Sequence, residues 1–465
     1  MRVLLFLTLM CSLALTQNQK AAGQVPASQV SAGQPLSPAQ VEAVIQQFQQ
    51  QTGVPGVAVV VVQQGQTRLY GSGLSPQTPV AIASMSKSFT ALAALQLAES
   101  GQLQLDLPVQ EVLPTFRMAD PRARQITVRH LLNQTSGLSD LASGQGLGSQ
   151  RVTRQALLQG LQQARLSADP GIRFEYANVN YALLALLIER VTGEPFGATV
   201  QRRILRPLGM HAYLAENCAE TFSGQAGGHT MLLKLALSAS EPAGLCLGSG
   251  GVVTSAEALG HWLQEQFGPR PQLMTAQQRH LMQSPPRGAD STYGMGWYAI
   301  SSPELPAYLG HGGNLVTAAS HMVYDPSTDT ALAALLDSNG PAALLTLNLL
   351  RARHGLPVQQ MRSPTLTLDL LLLTLGAVLT LWAVWSCRQH ARWHERTRTW
   401  PRWRRVISLL PLALFPVAVA LLPWFAFGAS PLSWPVTLTL LPSSAALWAA
   451  ALACAGLLGR RLTTA

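Results

Sequence analysis

Three stretches near the C-terminus restrict this chain more than any other feature. Residues 366–385 (LTLDLLLLTLGAVLTLWAVW), 406–427 and 434–458 are apolar almost throughout, with Asp369 the only charge in all three. Runs of about 20 residues match the thickness of a bilayer, and lipid leaves a spanning backbone no partner but itself, so each must be a helix. We therefore expect three transmembrane helices. Between the first two lie Arg388, Arg392, Arg396, Arg398, Arg402, Arg404 and Arg405 against Glu395 alone, and Arg460 and Arg461 follow the third. Arg-rich loops stay in the cytoplasm. That makes 386–405 a basic cytoplasmic loop, puts the C-terminus inside, and leaves 428–433 and everything before 366 outside. The N-terminus, MRVLLFLTLMCSLALT, agrees independently. Its apolar run is too short to span and reads as a secretory signal, assigned to residues 1–23 with the cleavage point open. The expected location is a multi-pass protein of the cell membrane with its main domain outside the cytoplasm.

The formal net charge of +10 belongs to the two ends. Residues 24–364 hold 21 basic and 20 acidic side chains, a balance of +1. No basic stripe suits nucleic acid, and the excess of Arg is the signature of the membrane segment. Residues 24–36, rich in Ala, Gln and Ser, read as a tether. A domain follows over 37–357. Its only cysteines are Cys218 and Cys246, and an oxidising compartment favours a bond between them.

Within that domain Ser37-Pro38 opens a helix with Val41, Val44, Ile45 and Phe48 on one side, stopped by Gly53. Strands are expected at 57–62 and 68–71, then at 293–300, 307–310, 318–324 and 330–336. The region 109–263 is mainly helical, and Pro341 opens a last helix. Strands at both ends and helices between predict an α+β fold: one antiparallel sheet built from both termini, flanked by helices, with a helical subdomain inserted.

The helix at 83–101, ASMSKSFTALAALQLAESG, begins with a lysine set among serines. Only three of the 32 basic residues are lysines: Lys20, Lys87 and Lys234. Arg cannot give up its proton in a protein, whereas a buried Lys can. Lys87 is thus either a surface residue near a helix start or a lysine whose proton must move. Ser84 lies three residues before it and shares its helix face, while Ser86 and Ser88 point elsewhere. A serine that attacks a carbonyl needs a nearby base and a place for the oxyanion. Ser-x-x-Lys at a helix start offers the first and part of the second.

Two further places matter. In PGIRFEYANVNYALL, Tyr176 is either a core ring or a phenol made acidic by a neighbouring cation such as Lys87. Asn178 either caps the next helix or holds a substrate amide. In YLGHGGN, placed at the end of a short strand, His311-Gly312-Gly313 is either an ordinary turn or a stretch that lets a ligand approach the backbone.

In this order, the three motifs resemble the serine β-lactamase-like hydrolases: class C β-lactamases, DD-peptidases and related esterases. The resemblance covers about 37–355 and extends to VPGVAVVVVQQGQ, ITVRHLLNQTSGL and GSGGVVTSAEALGHWL. It implies Ser84 as nucleophile, with Lys87 and Tyr176 sharing the base role. Asn178, His311 and Gly313 would bind substrate, and the backbone N–H groups of Ser84 and Asn314 would form the oxyanion hole. No cofactor and no metal is implied. The chain departs from the β-lactamase pattern at His311, where those enzymes carry Lys in Lys-Thr-Gly. An unperturbed His is mostly neutral above pH 7 and offers a penicillin carboxylate little charge. The expected activity is therefore that of a membrane-anchored esterase or D-amino-acid peptidase working through a Ser84 acyl-enzyme, and a poor β-lactamase. The substrate is a small molecule or peptide; a membrane anchor suits cell-wall or lipid-linked substrates without selecting one. Two other readings stay open: acyl transfer to an amine or alcohol, and a non-catalytic module that binds cell-wall peptide or a membrane partner.

Overall fold

The computed structural model of the chain describes residues 35–140, 153–361, 366–426, 438 and 441–462. The expected signal segment and all of the tether before residue 35 lie outside them. The chain divides into two compact units, one ending at Arg362 and the other containing everything from Ser363.

The larger unit is built on a six-stranded sheet. Its strands are β1 (Val57–Gln63), β2 (Gln66–Ser72), β8 (Tyr298–Ile300), β9 (Tyr308–Asn314), β10 (Ala319–Asp325) and β11 (Thr330–Leu336), in the order β2-β1-β11-β10-β9-β8. All neighbours are antiparallel, with Val57 opposite both Leu336 and Ser72. The two ends of the domain thus meet in the middle of one sheet, as the order of strand signals predicts. Five short strands lie outside it: β3 (Val80–Ala81), β4 (Ala212–Leu214) and β7 (Val252–Thr254) in one small sheet, β5 (His229–Leu232) and β6 (Leu235–Ser238) in a hairpin.

Every residue of β1 and β11 is buried. Side chains alternate across a strand, so both faces of the sheet must be covered, and they are. Ala58, Val60, Ala333 and Leu335 face a core that includes α2 (Ser86–Glu99), α3 (Asn178–Thr192) and α4 (Ala256–Phe267). Val57, Val59, Leu332 and Ala334 face α1 (Pro38–Thr52) and α5 (Ala342–Arg353). In the first core Phe89 of α2 stacks on Trp262 of α4 with ring centroids 3.9 Å apart. This fixes α2, and with it Lys87, against the sheet. Ser37 caps α1 as expected, and does so through a capping box with Gln40. The end of the tether is already part of the fold: Leu36 is buried, and its backbone N–H and C=O both pair with the side chain of Gln63.

Cys218 and Cys246 are bonded, with Cα atoms 5.2 Å apart. The bond ties the segment after β4 to the loop that leads into β7.

The C-terminal unit corrects the expected count of spans. Among the described residues two helices, not three, are long and apolar enough to cross a membrane: Leu366–Arg388 and Pro442–Leu462. The middle run does form a helix, Arg402–Ala426. It opens on Arg402, Arg404 and Arg405 and is not one of the two. At the third run a 3₁₀ turn at Pro442–Ser444 leads into a helix over Ala445–Leu462. Asp369, the lone acid, is buried and accepts a hydrogen bond from the Ser443 hydroxyl at 2.7 Å.

Candidate active site

The nucleophile turn is assembled by close packing. Ala83–Met85 form one 3₁₀ turn and α2 starts at Ser86, so the α-helix opens two residues later than the Ser84 position expected for its start. Ala83 has φ +47°, a left-handed conformation that a residue with a Cβ adopts only under constraint. The constraint is visible. A Cβ on Gly313 would lie 2.2 Å from the Ile82 carbonyl and 3.1 Å from the Ala83 Cβ, so only glycine lets β9 press on this turn. The Ser320 hydroxyl of β10 donates to the same Ile82 carbonyl at 2.8 Å. The HGG stretch therefore lies inside strand β9, which continues to Asn314, and not at a strand end. Gly313 serves strand-to-turn contact; Asn314, the last residue of β9, is exposed.

The three serines of the lysine helix separate cleanly. Ser84 is half-buried, so it meets solvent. The Ser86 hydroxyl is buried and accepts from the Val252 N–H at 3.0 Å, and the Ser88 hydroxyl donates to the Met85 carbonyl at 2.8 Å. These two hold structure together. Lys234 is exposed, while Lys87 is completely buried.

Lys87 Nζ has three partners: Ser84 Oγ at 3.1 Å, Asn178 Oδ1 at 2.7 Å and the Ser249 carbonyl at 2.8 Å. Burial lowers its pKa to about 7, against an opposing pull from the Asp140 carboxylate. Near neutral pH the amine can therefore lose a proton, and its geometry then becomes specific. A neutral amine has two N–H groups and one lone pair. The Ser249 carbonyl and Asn178 Oδ1 can only accept, so they take the two N–H groups. The lone pair is left for the Ser84 hydroxyl. Such an arrangement can accept a proton from Ser84 as it attacks.

Tyr176 lies beside both Ser84 and Lys87. The Ser84 hydroxyl beside it favours the ionised phenol, and the Tyr176 ring centroid lies 4.8 Å from Lys87 Nζ. The nearby amine does not make the phenol acidic. Desolvation dominates, moving the Tyr176 pKa well above the usual phenol range. Tyr176 holds its proton and can give or relay one.

Asn178 is the first residue of α3, not its cap, and no side chain of the preceding residue caps the helix. Asp140 does this from outside. Its Oδ2 accepts from the Asn178 backbone N–H at 2.9 Å and from Asn178 Nδ2 at 2.8 Å, and its Oδ1 accepts from the Val179 N–H at 2.9 Å. Asn178 thus spends its oxygen on Lys87 and one amide hydrogen on Asp140. The NQTSG stretch supports the same loop: Gln134 Oε1 accepts from the Ala177 N–H at 3.1 Å, and the Gln134 carbonyl from the Glu175 N–H at 2.9 Å.

His311 is buried, and both ring nitrogens are occupied. Nδ1 lies 2.7 Å from the Gly312 carbonyl and Nε2 lies 3.2 Å from the Tyr293 hydroxyl. A carbonyl only accepts, so Nδ1 carries the hydrogen and Nε2 receives the phenol's. Desolvation, aided by Lys87, lowers the His311 pKa to about 3. His311 is neutral throughout the physiological range, and its single N–H is not available to a ligand.

Sequence reasoning brought Ser84, Lys87, Tyr176, Asn178 and His311 together, and the structure places them in one site. It missed Asp140, the Ser249 carbonyl and Ala83. Only Asp140 had a signal to find, and a faint one: an acid two residues after the TSGL stretch, with a helix start lacking its own capping side chain elsewhere in the chain.

The Beta-lactamase family model matches residues 41–356. Protein flp of Staphylococcus aureus (strain MRSA252) is 26% identical over 433 residues, which cover 87% of this chain and 85% of that protein. Among solved structures, the octameric penicillin-binding protein homologue from Pyrococcus abyssi has a TM-score of 0.61 and 24% identity, over 73% of this chain and 82% of that one. A D-stereospecific amidohydrolase from Streptomyces sp. has a TM-score of 0.56 and 22% identity, over 66% of this chain and 98% of that one. The family match contains every site residue described above and the whole six-stranded sheet; the chain belongs to the Beta-lactamase family, a family of serine hydrolases.

Proposed function

We propose that the protein cleaves an ester or amide by forming an acyl-enzyme on Ser84, with Lys87 as the first base. One observation carries this reading: the Lys87 amine has two obligate acceptors besides Ser84, which direct its lone pair at the Ser84 hydroxyl. Attack forms a bond from Ser84 Oγ to the substrate carbonyl carbon as the hydroxyl proton passes to Lys87. The developing oxyanion is received by the backbone N–H groups of Ser84 and Asn314. Tyr176, still protonated, passes a proton to the leaving alcohol or amine and is resupplied from Lys87. Water then repeats the attack on the acyl group and frees Ser84.

Substrates without a carboxylate beside the scissile bond are favoured. His311 takes the place of the β-lactamase lysine, and here it is neutral with its N–H committed to Gly312. The likeness to a D-stereospecific amidohydrolase supports an amide of a D-amino acid as one class, a simple ester as the other. The full chain in detergent should therefore show a higher kcat/KM on a short-chain nitrophenyl ester or D-alanine nitroanilide than on a chromogenic cephalosporin. A cephalosporin turned over faster than both would overturn this preference.

The same proposal places the catalytic unit outside the cytoplasm, anchored by the C-terminal helices, with the basic segment at 388–405 inside. Support comes from its seven Arg residues against one Glu. A reporter active only outside the cytoplasm, joined after Trp400 in place of the rest of the chain, should stay silent; activity there would reverse the orientation.

A further inference from the structure

We infer that Asp140 is a positioning residue: it fixes which way round the Asn178 amide sits, and through that amide it fixes which side of the Lys87 amine faces Ser84. The inference rests on the proposed role of Lys87 as base.

An Asn side chain is nearly symmetric in shape, and only its hydrogen bonds choose between oxygen and nitrogen. Here a carboxylate makes the choice. Asp140 Oδ2 accepts from Asn178 Nδ2 at 2.8 Å, which leaves Oδ1 pointing at Lys87 Nζ, 2.7 Å away. Turned over, the amide would present N–H groups to Lys87. The neutral amine would then have to accept from Asn178 with its only lone pair and turn an N–H toward Ser84. In that state the amine cannot take the serine proton. The carboxylate is itself immobilised by the N–H groups of Asn178 and Val179 at the start of α3. A rigid helix end thus holds the acid, the acid holds the amide, and the amide holds the lysine.

Asp140 also acts through its charge. Among the described residues, the titratable groups facing Lys87 are Asp140 before α3, Tyr176 and Tyr181 with ring centroids 4.8 and 5.7 Å from Nζ, and His311 on β9. The tyrosines hold their protons and His311 is neutral; burial raises the Asp140 pKa, but the N–H groups of Asn178 and Val179 and the Lys87 amine favour its anion, which makes it the charged one of the four. An anion near an amine favours the protonated form. Removing it should lower the pH at which Lys87 becomes a base.

The two effects have opposite signs, which separates them from a loss of fold. The test measures the rate constant for labelling by a neutral fluorophosphonate against pH, on the full chain in detergent. The labelled fraction at completion reports how much protein is folded, and the rate constant reports the base. Asp140→Ala should lower the plateau rate constant about 100-fold, the scale for a misplaced catalytic group. Asp140→Asn keeps one acceptor oxygen for Asn178 and should recover much of that loss. In both variants the acid limb of the profile should move down by roughly one pH unit. If the variants change the labelled fraction but leave the rate constant and the acid limb where they are, Asp140 only caps α3 and the inference is wrong. If wild-type protein is not labelled at all, it is the acyl-enzyme reading that fails.

Discussion

Ser84→Ala lowers turnover of any ester or amide substrate by about 10⁴-fold or more, the scale on which nucleophile removal acts. The reason is local. Ser84 is the one hydroxyl of the three in ASMSKS that meets both solvent and the lysine amine. Nothing else in the turn can replace it, because the Ser86 hydroxyl is engaged by the Val252 N–H and that of Ser88 by the Met85 carbonyl. Ser86→Ala supplies the contrast. It removes one buried hydrogen bond, costs stability on the order of 1 kcal/mol, and leaves turnover per folded molecule within a few-fold. Steady-state kinetics and thermal denaturation of the two variants side by side check both halves. Equal losses of turnover would mean that the turn, rather than Ser84, was being measured.

Lys87→Met is expected to cost about 10³-fold, within the range for loss of a general base, and to change the shape of the pH profile. Wild-type acylation requires the neutral amine. Since burial lowers the Lys87 pKa to about 7, the rate should be flat above that pH and fall about tenfold per unit below it, as the amine takes up a proton. Methionine fills similar space without a proton to lose, so the residual rate should lack this limb. Met also removes the cost of burying a charge, so the variant should fold at least as stably as wild type at pH 6. A limb near pH 7 that survives in Lys87→Met would belong to another group and would remove Lys87 from the base role.

Much of this site was legible because its parts follow local rules. Serine and lysine three residues apart on a helix share a face, and a lysine kept in a chain that otherwise uses arginine is chemically marked. Strands β1 and β11 were legible as unbroken apolar runs because both of their faces are covered. Strand β9 was read too short, since Gly310, Gly312 and Gly313 argue against a strand when only propensity is considered. They are needed because the nucleophile turn lies against them. Asp140 stayed hidden because its partners are 38 and 39 residues away, and a loop acid carries no periodicity to betray a helix it caps from outside. The Ser249 carbonyl has no side-chain signal at all. At Tyr176 the sequence shows adjacency to a cation but not the desolvation that raises the phenol's pKa and lowers the lysine's. The three spans were counted from hydropathy, whereas two helices among the described residues are long and apolar enough to cross a membrane.

The most direct test is where a covalent probe lands. The full chain, labelled with a fluorophosphonate at pH 8 and digested, should give one modified peptide, with the adduct on Ser84. An adduct on Ser86 or Ser88, or no adduct on protein shown to be folded, would contradict a Ser84 acyl-enzyme activated by Lys87.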